Sequence, residues 1–146
     1  MRPNSSALIG QTVDGFVILK EIGAGATSVV YQAMEPQADN RLLALKVLDQ
    51  AERDLQGGLR AANPFLRELN IARRFQDPGI LRVFRVGELH DGRFYQAMEF
   101  VSGMSLAEEM MHRTLIPWRE ACEIAEALSW SLSPLHEQGI VHRDVT

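Results

Sequence analysis

Leu42-Leu43-Ala44-Leu45-Lys46-Val47-Leu48 is the stretch on which the fold turns. In an extended strand Leu43, Leu45 and Val47 point one way, and Leu42, Ala44, Lys46 and Leu48 the other. Both faces are apolar, so the strand is expected to be buried on both sides, with the lysine sharing one of them. An unpaired ammonium in such a place is costly or sheds its proton. Either the strand lies at an edge and the lysine snorkels to solvent, or the lysine meets an anionic partner. Lysine is scarce here: of 15 basic side chains, only Lys20 and Lys46 are not arginine. Base composition explains that, or a specific need for an ammonium does.

On the N-terminal side, Phe16-Val17-Ile18-Leu19 and Ser28-Val29-Val30-Tyr31 are β-branched or aromatic runs flanking Gly23-Ala24-Gly25, which reads as a hairpin. On the C-terminal side a polar link, residues 50–62, leads to Asn63-Pro64, a good helix start, and that helix runs to about Phe75. Two further strands follow, Ile80 to Glu88 and Arg93 to Val101, joined by a turn at His90-Asp91-Gly92. Beyond Ser102-Gly103 the pattern becomes helical. Ser105 to Arg113 is a short helix, and from Pro117 the residues Ala121, Ile124, Ala125, Leu128, Leu132 and Leu135 keep a helical period until Gly139. Pro134 should loosen the last turns, because it cannot donate to the carbonyl of Trp130. Five strands with one inserted helix, then helices only, make the class α+β.

Composition narrows the function. The 146 residues are 46% hydrophobic and 23% charged, the balance of a globular domain rather than a disordered chain. A net charge of −4 gives no reason to expect nucleic-acid binding. Cys122, the one cysteine, fits a reducing compartment and reads as a small buried hydrophobe. No apolar stretch is long enough to span a bilayer, and a cytoplasmic location is expected, with any membrane anchor lying downstream.

Three constellations carry chemistry. Glycines two apart in Ile22-Gly23-Ala24-Gly25-Ala26-Thr27-Ser28 let backbone amides approach a phosphate, although a plain hairpin turn has the same composition. No Gly-Lys-Ser/Thr follows, and a strand rather than a helix comes next, so neither a Walker loop nor a dinucleotide fingerprint fits. On the inserted helix Glu68, Ile71, Ala72 and Phe75 share the apolar stripe, which makes Glu68 an available anionic partner for Lys46. Last comes Ile140-Val141-His142-Arg143-Asp144, a triplet that alone reads as a solvated loop. The arginines from Arg60 to Arg85 fit a solvated helix face or a contact with a phosphate or acidic partner.

In this order the glycine loop, Ala44-Leu45-Lys46, helical Glu68, Met98-Glu99-Phe100-Val101 and His142-Arg143-Asp144 resemble the protein kinase superfamily, in particular the bacterial Ser/Thr kinases that look like eukaryotic ones. The resemblance implies a kinase N-lobe, a five-stranded antiparallel sheet plus a C-helix, over residues 10–101. An N-terminal extension (1–9) precedes it, and the first helices of an incomplete C-lobe (102–146) follow. It implies ATP as substrate, with Gly23, Gly25 and Ser28 over the phosphates and Val30 and Ala44 around the adenine. Lys46 would contact the α/β-phosphates while paired to Glu68, and Met98 would be the gatekeeper. The Glu99 carbonyl and Val101 amide would hold the adenine edge, with Ser105 near the ribose. Asp144 would be the catalytic aspartate, and Arg143 and His142 regulatory.

Two positions depart from the family pattern: Ser28 replaces the third loop glycine, and Thr146 replaces a lysine. Mg2+ is implied as well, with its ligands beyond residue 146. The expected activity is transfer to Ser/Thr hydroxyls of a protein substrate, with the 146 residues inactive alone. A non-catalytic pseudokinase-like scaffold is the alternative. The apolar face of the long helix is expected to stay open and to favour self-association.

Overall fold

The computed structural model describes residues 8–48, 79–113 and 115–141. They fall into two compact units, residues 8–48 with 82–100, and residues 79–81 with 101–141. The inserted helix, Glu68 and the His142-Arg143-Asp144 triplet lie outside the described residues.

The first unit is a six-stranded antiparallel sheet in the order β1-β2-β3-β4-β6-β5. Its strands are β1 (Thr12–Val13), β2 (Phe16–Ala24), β3 (Ser28–Glu35), β4 (Arg41–Leu48), β5 (Val83–Glu88) and β6 (Phe94–Glu99). The five expected strands are present, and β1 is the addition. It exists because Asp14 and Gly15 both adopt positive φ (48° and 87°), the requirement of the tightest hairpin loop. That turn pairs Val13 with Phe16 and Thr12 with Val17. The turn expected at His90-Asp91-Gly92 forms too, with Gly92 at φ 82° and its amide on the Leu89 carbonyl.

One face of this sheet is the core. Leu8, Phe16, Ile18, Tyr31, Ala33, Leu43, Leu45, Val47, Leu89, Tyr95 and Ala97 form one buried cluster. As the alternation requires, β4 contributes Leu43, Leu45 and Val47 to it, each at most 2% exposed. Tyr95 is fully buried and stands edge-on to Phe16, with ring centroids 6.0 Å apart. Its ring lies so close over Gly87 that a Cβ there would come within 2.6 Å of the ring carbons.

Polar side chains fasten the rim of this core. The Tyr95 hydroxyl donates to the carboxylate of Asp14, and Arg85 donates to the Asp14 carbonyl (3.0 Å) and to Glu35 Oε1 (3.1 Å). Arg41 pairs with the other Glu35 oxygen, and Arg85 also lies over the Phe16 ring, 4.6 Å from its centroid. Burial, reinforced by the Asp14 carboxylate, pushes the Tyr95 hydroxyl up to about 12.

In the second unit α1 (Leu106–His112) and α2 (Trp118–Glu137) are the two expected helices. Ser105 caps α1 in a reciprocal box: its Oγ accepts from the Glu108 amide, and Glu108 accepts from the Ser105 amide at 2.7 Å. Those bonds hold the Glu108 carboxyl below its ordinary value. Arg113 then grips Glu120 with both terminal nitrogens (2.6 and 2.7 Å), tying the end of α1 to the start of α2. At the other end Gly139, at φ 72°, donates to His136 and Ile140 donates to Leu135, the two bonds of a Schellman stop.

Two expectations for α2 need correction. Pro134 does not loosen it: the helix continues to Glu137, because the missing donor falls in a last turn that the Schellman bonds secure. Cys122 is exposed, not buried, for no residue of α2 is buried; Trp118 and Trp130 are each 72% exposed. Of the apolar stripe expected on this helix Leu128 is exposed, while Ile124, Leu132 and Leu135 are half-buried. No helix among the described residues is long and apolar enough to cross a membrane.

Candidate functional site

The face of the sheet opposite the core gathers six of the residues singled out from sequence, Gly23, Ser28, Val30, Ala44, Lys46 and Met98. Antiparallel partners share a face, so register alone builds the site. One row crosses five strands as Gly23, Val30, Lys46, Gln96 and Val86, each paired with the next. The neighbouring row reads Lys20, Gln32, Ala44, Met98 and Val83, with Lys20 exposed. On the other side of the first row, Ser28 pairs with Leu48. Ala44, Leu48 and Val83 are buried without belonging to the core cluster, while Val30, Lys46, Gln96 and Met98 are half-buried. The result is a partly covered apolar floor with the half-buried ammonium of Lys46 set in it.

Lys46 holds the position expected from the alternation of β4, with Val30 on one side and Gln96 on the other. The edge-strand reading of this lysine is excluded, since β4 is paired on both sides. Gln96 is the member of the row that sequence did not single out. Its alternation with Met98 was readable, but its position opposite Lys46 depends on a register between residues 50 positions apart in the chain, by their numbers.

The glycines of the β2–β3 hairpin are informative in a different way. Neither Gly23 nor Gly25 has a positive φ. A Cβ would meet nothing closer than 4.0 Å at Gly23, and at Gly25 only Ser28 at 3.6 Å, ordinary contact. The fold itself does not require glycine at either position. The hairpin closes through the Gly25 amide donating to the Ser28 carbonyl at 2.8 Å.

The remaining positions divide between the units. Glu99 ends β6, its amide donating to the Arg82 carbonyl at 2.8 Å. Val101 and Ser105 belong to the second unit. Val101 is 68% exposed, and the Ser105 hydroxyl is engaged in capping α1. Glu68, His142, Arg143 and Asp144 lie outside the described residues, so the expected Lys46–Glu68 pair does too.

A sheet of this order, lined on one face by a glycine, small aliphatic side chains and a half-buried lysine, is the N-terminal lobe of a protein kinase domain. The family model described as Protein kinase domain matches residues 16–146, and the chain belongs to that family. Its relatives are bacterial Ser/Thr kinases. It is 36% identical over 138 residues to the serine/threonine-protein kinase PknF of Mycobacterium tuberculosis, a match covering 93% of this chain and 28% of PknF. A crystal structure of the M. tuberculosis PknI kinase domain superposes with a TM-score of 0.76 at 32% identity, covering 94% of this chain and 53% of that one. A structure of Rad53 residues 1–466 in complex with AMP-PNP matches at 25% identity and TM-score 0.73, over 90% of this chain and 33% of that one. The chain spans 20% to 28% of the length of such curated relatives.

Proposed function

We propose that this chain is the nucleotide-binding part of an ATP-dependent Ser/Thr protein kinase, which transfers the γ-phosphoryl group of ATP to a protein hydroxyl. One observation carries the reading: strand register sets Gly23, Ser28, Val30, Ala44, Lys46 and Met98 on a single face, the one the apolar core leaves over. A flat aromatic base is held by short aliphatic side chains, the role of Val30 and Ala44, with Met98 limiting depth beside them. Lys46 supplies the positive charge for the α/β-phosphates. Gly23 and Gly25, whose side-chain space the fold leaves unused, allow the hairpin backbone to approach the phosphate chain. The Glu99 carbonyl accepts from the adenine edge.

From the family pattern, Glu68 holds Lys46 in place and Asp144 orients the substrate hydroxyl and takes its proton. Arg143 and His142 respond to regulation. The family implies a divalent metal as well; among the described residues no group of His, Cys, Asp or Glu is placed to hold one. The chain matches 53% of the PknI kinase domain, and the reading is that these 146 residues alone bind nucleotide without turnover.

Titration of the chain with ATP, with and without the Lys46→Ala substitution, tests the site. Wild type should bind, and the variant should bind at least about tenfold more weakly, the range for a charge-assisted bond. Equal affinity of both, with the variant folded by circular dichroism, would remove Lys46 from the site and the reading with it.

A further inference from the structure

Gln96 is an amide set where an apolar side chain would suit its surroundings. It pairs with Lys46 on β4 and with Val86 on β5, and all three side chains lie on the face opposite the core cluster. Directly opposed residues of an antiparallel pair have Cβ atoms about 4.5–5.5 Å apart, well within reach of a glutamine and a lysine. Around the pair on this face stand Ala44, Leu48, Val83 and Met98, all apolar. Glu88, on the diagonal from Gln96, is exposed at the end of β5 and engaged elsewhere.

Both Gln96 and Lys46 are half-buried, and neither side chain hydrogen-bonds to another described residue, so both are at hand when an anion arrives. An amide among aliphatic neighbours costs free energy unless its oxygen finds a donor. An ammonium has three N–H donors and no acceptor, and a glutamine oxygen is an acceptor without charge. A carboxylate opposite the lysine would offset its charge. An amide orients the ammonium and leaves that charge whole for a phosphate.

We infer that Gln96 is a positioning residue for Lys46: its Oε1 accepts one ammonium proton and holds the ammonium toward the α/β-phosphates of a bound nucleotide. The anchor is supplied by the sheet itself, since β4 and β6 stay in register from Leu43 opposite Glu99 to Val47 opposite Tyr95. The inference rests on the nucleotide reading above, and its test separates the two.

ATP and adenosine are titrated against wild type, Gln96→Met, Lys46→Ala and the double variant, with thermal unfolding of each as a control on the fold. Methionine keeps the length of glutamine and removes the acceptor. Gln96→Met should lose about three- to tenfold in ATP affinity, the range of one hydrogen bond, and bind adenosine as wild type does. On the Lys46→Ala background the same change should cost less than about twofold, because the group it positions is gone. The second readout is spectroscopic. Lys20 and Lys46 are the only lysines of the chain, so isotope-labelled lysine nitrogens report on Lys46 beside one exposed reference. In the ATP complex the Lys46 ammonium protons should exchange slowly with water, and Gln96→Met should speed that exchange.

Equal ATP affinity of wild type and Gln96→Met overturns the inference and leaves the nucleotide site standing. An equal loss with and without Lys46 overturns it too, for Gln96 would then act on its own. Parallel loss of adenosine assigns Gln96 to shaping the floor and likewise overturns it, as does Lys46 proton exchange that is the same in both proteins. A wild-type chain that binds neither ligand defeats the nucleotide reading itself.

Discussion

Gly87→Ala is the substitution that most directly tests the packing of the first unit. The added methyl would lie 2.5 Å from the Tyr95 hydroxyl oxygen and 2.6 Å from two ring carbons, distances real Cβ atoms do not reach. Something must move, and the ring has little room. Tyr95 is fully buried, stands edge-on to Phe16, and is tethered through its hydroxyl to Asp14. Forcing a methyl into a filled core costs about 1–3 kcal/mol. Displacing the ring also stretches a hydrogen bond to a carboxylate, worth about 1.5–3 kcal/mol. Against this, alanine narrows the unfolded ensemble by about 0.4–1 kcal/mol, since Gly87 does not have a positive φ. The net loss is roughly 2–4 kcal/mol, or a fall of about 1–2 M in the urea midpoint. The assay is equilibrium urea unfolding followed by far-UV circular dichroism. Gly23→Ala serves as control: its new methyl meets nothing closer than 4.0 Å and should leave the midpoint almost unchanged. If Gly87→Ala unfolds with Gly23→Ala rather than well below it, Tyr95 is not held as described and the reasoning fails.

Alkaline titration reads the same tyrosine. Its proton is held to about 12, above the unfolded value near 10, so its contribution is complete below pH 10 and is lost as pH rises towards 12. Tyr95→Phe should flatten the stability curve in that window, as measured by urea midpoints from pH 8 to 11.5; an unchanged slope would contradict it. At the end of α2, Gly139→Ala forces a side chain into φ 72° and should cost about 1–2 kcal/mol, seen as a lower thermal midpoint. Lys46→Ala, by contrast, should lower ATP affinity with little effect on the fold, since its side chain lies off the core cluster.

Local chemistry made much of this legible, and distance along the chain decided what was not. The period of Leu42–Leu48 identified β4 and both its faces, because alternation is a property of seven adjacent residues. The stop at Gly139 was equally local. The hairpin at Asp14-Gly15 carried as strong a signal, and β1 was missed by reading the strand only from Phe16 onward. The rim network was out of reach: Tyr95 meets Asp14 across 81 positions and Arg85 meets it across 71. No spacing rule couples residues so far apart. Cys122 failed for another reason: a helical period predicts which side of a helix is apolar, not whether anything lies against it. Of the site, the individual positions on β3, β4 and β6 were readable. Their alignment into rows was not, since it depends on register, and the register gave Gln96 its place beside Lys46.

The bent margin at β5 has a consequence for how the protein behaves in a crowded solution. An outermost strand with free amides and carbonyls invites a stranger's strand to join it, the first step towards fibrous precipitation. Here the ladder slips between Val83 and Arg85, and Arg85 folds inward to seize the Asp14 turn and Glu35 instead of lying flat. A margin so kinked, with a cation drawn across it, is a poor template. Replacing Arg85 would therefore show itself first in solubility.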